Sequence, residues 1–323
     1  MEANKSIIFG PVPSRRLGRS LGLNIIPPKV CSYSCVYCQL GRTVRMQLER
    51  QAFYQPERIL DLVQDKLMET GKAGEKIDYL TFVPDGEPTL DINLGEEIDL
   101  LRPSGVPIAV ITNTSLIWRK DVRDALMKAD WVSLKIDSVG ERVWRKIDRP
   151  HRLLELPAIL EGALEFAKTF RGKLITETML LTDVNDSDNS LRETAEFLGI
   201  LRPATAFLSI PTRPPAEEWV RPPDENALNR AYQIFSEKSD HVEYLIGYEG
   251  NTFALTGNVE EDILSITAVH PMRDDAVEEF LGRAGGDWGI IHGMLEDGQL
   301  IETDYGGSKF YLRRFSQQQG RGS

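Results

Sequence analysis

Cysteine is almost missing from this chain: three residues in 323, Cys31, Cys35 and Cys38, all inside one stretch of eight positions. An odd, clustered set with no distant partner excludes a disulfide framework and fits a reducing compartment, so the expected location is the cytoplasm. Histidine is scarce too; His151, His241, His270 and His292 are the whole complement, and none is near the cysteines in sequence. No apolar run approaches the roughly eighteen residues of a membrane-spanning helix, and the opening MEANKSIIFG lacks a signal-peptide layout. No membrane association is expected. Positive charge is in deficit, 38 Lys and Arg against 49 Asp and Glu, which argues against a broad nucleic-acid surface. The deficit is uneven: residues 1–50 carry +6 and residues 260–323 carry −6. The cysteines lie in the basic part, which suits an anionic ligand or an acidic electron donor.

What is present reads as an α/β protein. Short β-branched runs at 21–26, 77–83, 107–112, 131–136, 173–181 and 205–210 alternate with amphipathic helical segments such as PERILDLVQDKLMETG, with proline at its start and glycine past its end. Strands separated by helices imply parallel βαβ units. Six fall short of a closed eight-stranded barrel, so an open, partial (βα)6 barrel is expected over 21–215, preceded by a basic extension over 1–20. A proline-rich stretch, PTRPPAEEWVRPPDE, marks a change of pattern. A connecting helix and two weak strands, near 242–246 and 251–255, are expected over 216–258. A small domain over 259–323, three helices and a hairpin turning at Gly306-Gly307, suggests a winged helix.

Unusual polar clusters follow each strand: the cysteines after the first, PDGEPT (84–89), TNTS (112–115), KIDS (135–138), TDVND (182–186) and PTRP (211–214). Parallel α/β folds bring such ends to one rim, where ligands bind. A C-x3-C-x2-C run supplies three thiolates from one loop. Zinc would require a fourth ligand that is not nearby. An iron–sulfur cube normally takes four cysteines, so three leave one iron open to a substrate or cofactor.

The stretch CSYSCVYC, with Tyr37 just before the last cysteine, resembles the signature of the radical S-adenosylmethionine (SAM) superfamily, and the later clusters fit over residues 20–215. The resemblance implies a [4Fe–4S] cluster on Cys31, Cys35 and Cys38, with SAM on its open iron. One electron from the cluster would break a carbon–sulfur bond of SAM, and the 5′-deoxyadenosyl radical so released would take hydrogen from a substrate. DGEP resembles the family's glycine–glycine–glutamate element, with Asp85 where the first glycine often sits. Gly86, Glu87 and Pro88 are then expected at the methionine part of SAM, Glu87 taking its ammonium. Thr112 and Asn113 resemble the family's "TN". Ser133, Lys135 and Asp137 share one strand face and would address ribose and carboxylate, and Thr178 and Asn185 the ribose and adenine. FGPVPSRRLGRSLGLNIIPPKVCSYSCVYCQLG is similar to a branch grouped with the wyosine-synthesis enzymes, which modify transfer RNA.

Arg15 and Arg16, with Arg149, are expected to hold an anionic part of the substrate, because arginine forks suit phosphate and carboxylate. That substrate is expected to be tRNA, a peptide or an anionic metabolite, and the electron donor a flavodoxin or ferredoxin. The acidic small domain argues against DNA. A redox sensor with a nucleic-acid-binding winged helix is the alternative; it needs the cysteines but neither DGEP nor TN nor KIDS.

Overall fold

The computed structural model describes residues 7–72, 74–246, 258–269 and 271–314, without the side chains of 265, 268 and 269. The expected strand near 251–255 lies outside the described residues. The chain opens with β1 (Ile8–Ser14) and β2 (Gly18–Leu23), then a short parallel pair, β3 (Val30–Cys31) and β4 (Arg45–Met46), that brackets the cysteine loop. The sequence continues α1 (Pro56–Lys72), β5 (Tyr79–Phe82), α2 (Leu94–Leu101), β6 (Ile108–Thr112), α3 (Lys120–Leu126), β7 (Trp131–Lys135) and α4 (Glu141–Ile147). Then come α5 (Leu156–Thr169), β8 (Lys173–Met179), α6 (Asp188–Leu201), β9 (Thr205–Ser209), α7 (Glu225–Ser236) and β10 (Val242–Leu245). Local chemistry sets several boundaries. Proline opens α1 with Glu57 in its first turn and Lys72 in its last, complementing the helix dipole. Ser187 caps α6 by accepting from the Ser190 amide.

The main sheet has the order β1-β2-β5-β6-β7-β8-β9-β10. Every pair is parallel except β1 with β2. The expected count of six is thus corrected to seven parallel strands plus an antiparallel edge. The weak strand near 242–246 joins β9 as β10, and the segment expected as a basic extension supplies β1. The first parallel strand also begins at Gly18 rather than at Leu21. Both faces of the sheet are covered. Leu80, Val110, Val132 and Leu208 face the helices in the large core, while Ala109, Trp131, Ile175, Phe207 and Leu245 meet Leu17 on the other face. Arg15, in the β1–β2 turn, donates to the Ile246 carbonyl at 2.8 Å, so the two edges of the sheet nearly meet and the sheet is a curved, open barrel.

The remaining elements, α8 (Val259–Val269), β11 (Met272–Arg273), α9 (Asp274–Ala284), α10 (Trp288–Glu296), β12 (Leu300–Tyr305) and β13 (Ser308–Arg313), form a small unit. Its antiparallel sheet has the order β11-β13-β12, and its hairpin turns at Gly306 and Gly307, both at positive φ, as a two-residue turn between twisted strands requires. Its separate core includes Ile263, Phe280, Ile291 and Tyr311, with Val12 of β1 packed against it. Tyr305 donates to the Pro211 carbonyl at 3.2 Å, which fixes the hairpin beside the barrel's last loops. Among the described residues no helix is long and apolar enough to cross a membrane.

Candidate active site

The cysteine loop is clamped from several sides by backbone hydrogen bonds. Ser34 and Val36 donate to the carbonyls of Asp148 and Ile147, and His151 donates to that of Ser32. Gly86 presses against the loop from below: a Cβ there would lie 1.9 Å from the Val30 carbonyl oxygen. The glycine was expected to make room for a ligand; the close approach it permits is instead between two chain segments. Among the described residues no three His, Cys, Asp or Glu side chains lie close enough together to hold a single metal ion, which does not suit zinc. The three thiols are half-buried and in no disulfide. Burial pushes the Cys31 thiol up to about 12 and raises Cys35 and Cys38 as well. A hydrogen bond at Leu40 and the Lys29 and Lys135 ammoniums offset this for Cys38 but do not reverse it, and a bound cation would favour the thiolates.

Glu87 sits at the junction of strand ends, 1% exposed. Its Oε1 accepts from the Thr89 amide (3.0 Å) and from the Thr89 and Thr112 hydroxyls (both 2.6 Å), and its Oε2 accepts from the Asn113 amide (2.7 Å). Glu87, expected to receive a ligand's ammonium, braces the ends of β5 and β6 in the structure, with a single donor on Oε2. Pro88 is buried as the first residue of a 3-10 turn and likewise belongs to the scaffold. Asn113 remains next to the chemistry, its Nδ2 donating to Cys31 Sγ at 3.3 Å and to Ser32 Oγ at 3.0 Å.

A cavity of about 290 Å3 opens beside Cys38, lined by Tyr37, Thr112, Ser133, Lys135, Glu177 and Ser209 among others. Glu177 receives Arg16, Lys135 (2.9 Å) and Ser209 (3.1 Å). Burial acts to raise its carboxyl, but Lys135 and Arg16 outweigh it and hold the group down at about 2. Burial also acts to lower Lys135, and the Glu177 and Asp137 carboxylates reverse that, keeping the ammonium charged. Lys135 lies over the Tyr37 ring, 4.8 Å from its centroid.

Not every expected residue reaches this cavity. Asp137, just past β7, accepts from the Tyr37 hydroxyl and from the Met179 amide at 2.7 Å. Burial raises it and its neighbour Asp148, to which Cys35 donates at 3.4 Å. Thr178 faces away from the cavity and donates to the Ile136 carbonyl at 2.7 Å. Asn185 is a brace between loops, donating to the carbonyls of Asp137 and Met179 and accepting from the Leu181 amide. Arg149, at φ 44°, joins Arg42 on Glu217, away from the cavity, tying the cysteine loop to the last barrel loop. Arg15 and Arg16 both line the cavity. Arg213, from the PTRP cluster, lines it too, as do Glu177 and Ser209, to which the sequence motifs do not point.

The family model described as the radical SAM superfamily matches residues 25–198. A UPF0026 protein of Methanocaldococcus jannaschii is 50% identical over 311 residues, 95% of this chain and 96% of that one. Among solved structures, a radical SAM methyltransferase from Sphaerobacter thermophilus aligns with a TM-score of 0.54 at 16% identity, over 71% of this chain and 67% of that one. Streptococcus suis SuiB bound to S-adenosylmethionine aligns with a TM-score of 0.52 at 12% identity, over 71% of this chain and 51% of that one. These two likenesses show a shared fold. The chain belongs to the radical SAM superfamily and, within it, to the UPF0026 family. It is a radical SAM enzyme, of a superfamily whose cofactors are a [4Fe–4S] cluster and SAM.

Proposed function

We propose that Cys31, Cys35 and Cys38 hold the [4Fe–4S] cluster and that SAM occupies the cavity beside Cys38. The observation that carries this reading is that Cys38, one of three neighbouring thiols in no disulfide, lines a cavity holding the Lys135 ammonium and several hydroxyls. A cluster held by these three cysteines would supply the single electron needed for reductive cleavage of SAM to methionine and a 5′-deoxyadenosyl radical able to take a hydrogen atom from the substrate. The chain's own residues bind, orient and exclude water. Lys135, held charged by Glu177, faces the carboxylate of SAM, and Ser133 and Thr112 offer hydroxyls to its polar groups. Asn113 orients the Cys31 sulfur through its amide N–H.

The substrate is read as tRNA, a peptide or an anionic metabolite, its anionic part addressed by Arg15 and Arg16. The basic first fifty residues suit an acidic donor such as flavodoxin or ferredoxin in the cytoplasm. The order of helices and strands in the small unit supports a winged-helix-like module, and the Tyr305–Pro211 contact supports its use as a lid over the last barrel loops.

Anaerobically reconstituted protein given SAM and a strong reductant should release 5′-deoxyadenosine. Replacing any of Cys31, Cys35 or Cys38 with alanine should remove cluster and product together. An intact cluster, shown by iron and sulfide analysis, that yields no 5′-deoxyadenosine defeats the reading.

A further inference from the structure

The three thiols of the cysteine loop have unequal surroundings. Cys35 has the Asp148 and Asp137 side chains beside it, Asp148 Oδ1 at 3.4 Å. Cys38 has a backbone hydrogen bond at Leu40 and the Lys29 and Lys135 ammoniums. Burial and the Glu87 carboxylate oppose negative charge on Cys31, and backbone hydrogen bonds at Tyr33 and Ser32 favour it. The Asn113 side chain adds a further donor, its Nδ2 lying 3.3 Å from Cys31 Sγ. That side chain is held in one orientation. Its Oδ1 accepts from the Ser115 amide at 2.9 Å, which turns Nδ2 toward Cys31 and toward Ser32 Oγ at 3.0 Å. The opposite orientation would set N–H against N–H at Ser115 and oxygen against sulfur at Cys31, two repulsive pairs. The backbone is fixed as well, because the Asn113 amide donates to Glu87 Oε2 at 2.7 Å. Ser32 also bonds the Ser115 hydroxyl, so the cysteine loop and this turn are tied together.

A hydrogen bond strengthens as negative charge builds on its acceptor. An iron–sulfur centre on these cysteines gains one negative charge with each electron it takes, and the thiolate sulfurs carry part of it. We propose that Asn113 tunes the reduction potential of that centre through its N–H···S hydrogen bond to Cys31. The bond is stronger when the centre is reduced, so it raises the potential and eases electron delivery by a one-electron donor of the flavodoxin or ferredoxin class. The potentials of such centres respond to hydrogen bonds on their sulfurs, and partners of the ligating side chains are a common lever. The donor loses one electron and the centre gains it; no proton moves, because the amide is neutral in both states. Asn113 is thus a positioning residue that acts through Cys31. This role deepens the enzyme reading and rests on Cys31 being a cluster ligand. It also gives the buried Glu87 a purpose beyond joining strands, since Glu87 holds the Asn113 backbone in place.

Potentiometric titration followed by electron paramagnetic resonance tests this on anaerobically reconstituted full-length protein without SAM. Asn113→Leu keeps a similar shape and removes the N–H. At the wild-type midpoint, where oxidised and reduced forms are equal, the variant should be oxidised over reduced by about three- to tenfold, tenfold being about 59 mV for one electron. A residue that only braces the loop would lower the iron content and leave the potential of the remaining centres unmoved. An unmoved potential in Asn113→Leu, at any iron content, therefore overturns the inference, as does a shift toward easier reduction. Should the variant take up no cluster at all, wild-type protein grown with nitrogen-15-labelled asparagine decides. Electron–nuclear double resonance should then show a side-chain amide nitrogen coupled to the reduced centre, and its absence overturns the inference. The two readings fail separately: reconstituted protein with no [4Fe–4S] signal defeats the enzyme reading, whereas that signal with an unmoved potential removes only the role of Asn113.

Discussion

Two buried glutamates near the cysteine loop, Glu87 and Glu177, have opposite tasks. Glu87 accepts four hydrogen bonds, all from neutral donors, and burial raises its carboxyl. Glu177 meets two cations and is held down at about 2. The first arrangement joins strand ends, with three donors on Oε1 and one on Oε2. The second keeps Lys135 and Arg16 charged at the cavity wall. Residue type and burial are the same in both; the partners decide which glutamate is scaffold and which sets the electrostatics of the site.

Removing Glu87 should have the largest effect on this contrast. Glu87→Ala strands four buried donors and should lower stability by about 3–5 kcal/mol in urea unfolding, with cluster incorporation lost alongside. A loss below about 1 kcal/mol would mean those hydrogen bonds do not brace the rim. Gly86→Ala comes next. Its methyl cannot share space with the Val30 carbonyl, so the cysteine loop must move, costing about 2–4 kcal/mol and most of the bound iron. Normal iron content in that variant would show that the two segments need not touch.

Glu177→Gln should cost about 2–3 kcal/mol at pH 7 and weaken SAM binding, measured by equilibrium dialysis, by removing the anion that orders Lys135. The sign of its pH dependence follows from the depressed carboxyl. The stabilisation is complete above the unfolded value near 4.5 and disappears as pH falls through about 2, so the gap between wild type and variant should close over that window. A gap independent of pH would mean Glu177 is not held by charge. Thr178→Val, finally, should cost no more than about 1 kcal/mol and leave SAM affinity unchanged, because the hydroxyl bonds only the Ile136 carbonyl. A severalfold loss of affinity there would reverse the assignment of faces on β8.

Much of the site is legible in the chain. The cysteine spacing points to the chemistry, and the period of two along WVSLKID is enough to put Ser133 and Lys135 on one face. The same rule fails on β8. KLITETM is buried on both faces, so alternation carries no sign of which side is the barrel interior; Thr178 was expected from the family resemblance, and Glu177 lines the cavity. Arg149 fails differently: its Pro150 neighbour marks a turn, but only the fold shows that Glu217, far along the chain, claims its guanidinium.

The sequence by itself determined the cofactor class and the order of strands and helices, because thiol spacing and hydrophobic periodicity are local and short-ranged. Tertiary structure alone decided that a seventh parallel strand and an antiparallel edge complete the sheet, that Glu87 meets neutral donors while Glu177 meets cations, and that Asn113 meets Cys31. Each of those depends on residues far apart in the chain, whose meeting no local pattern encodes.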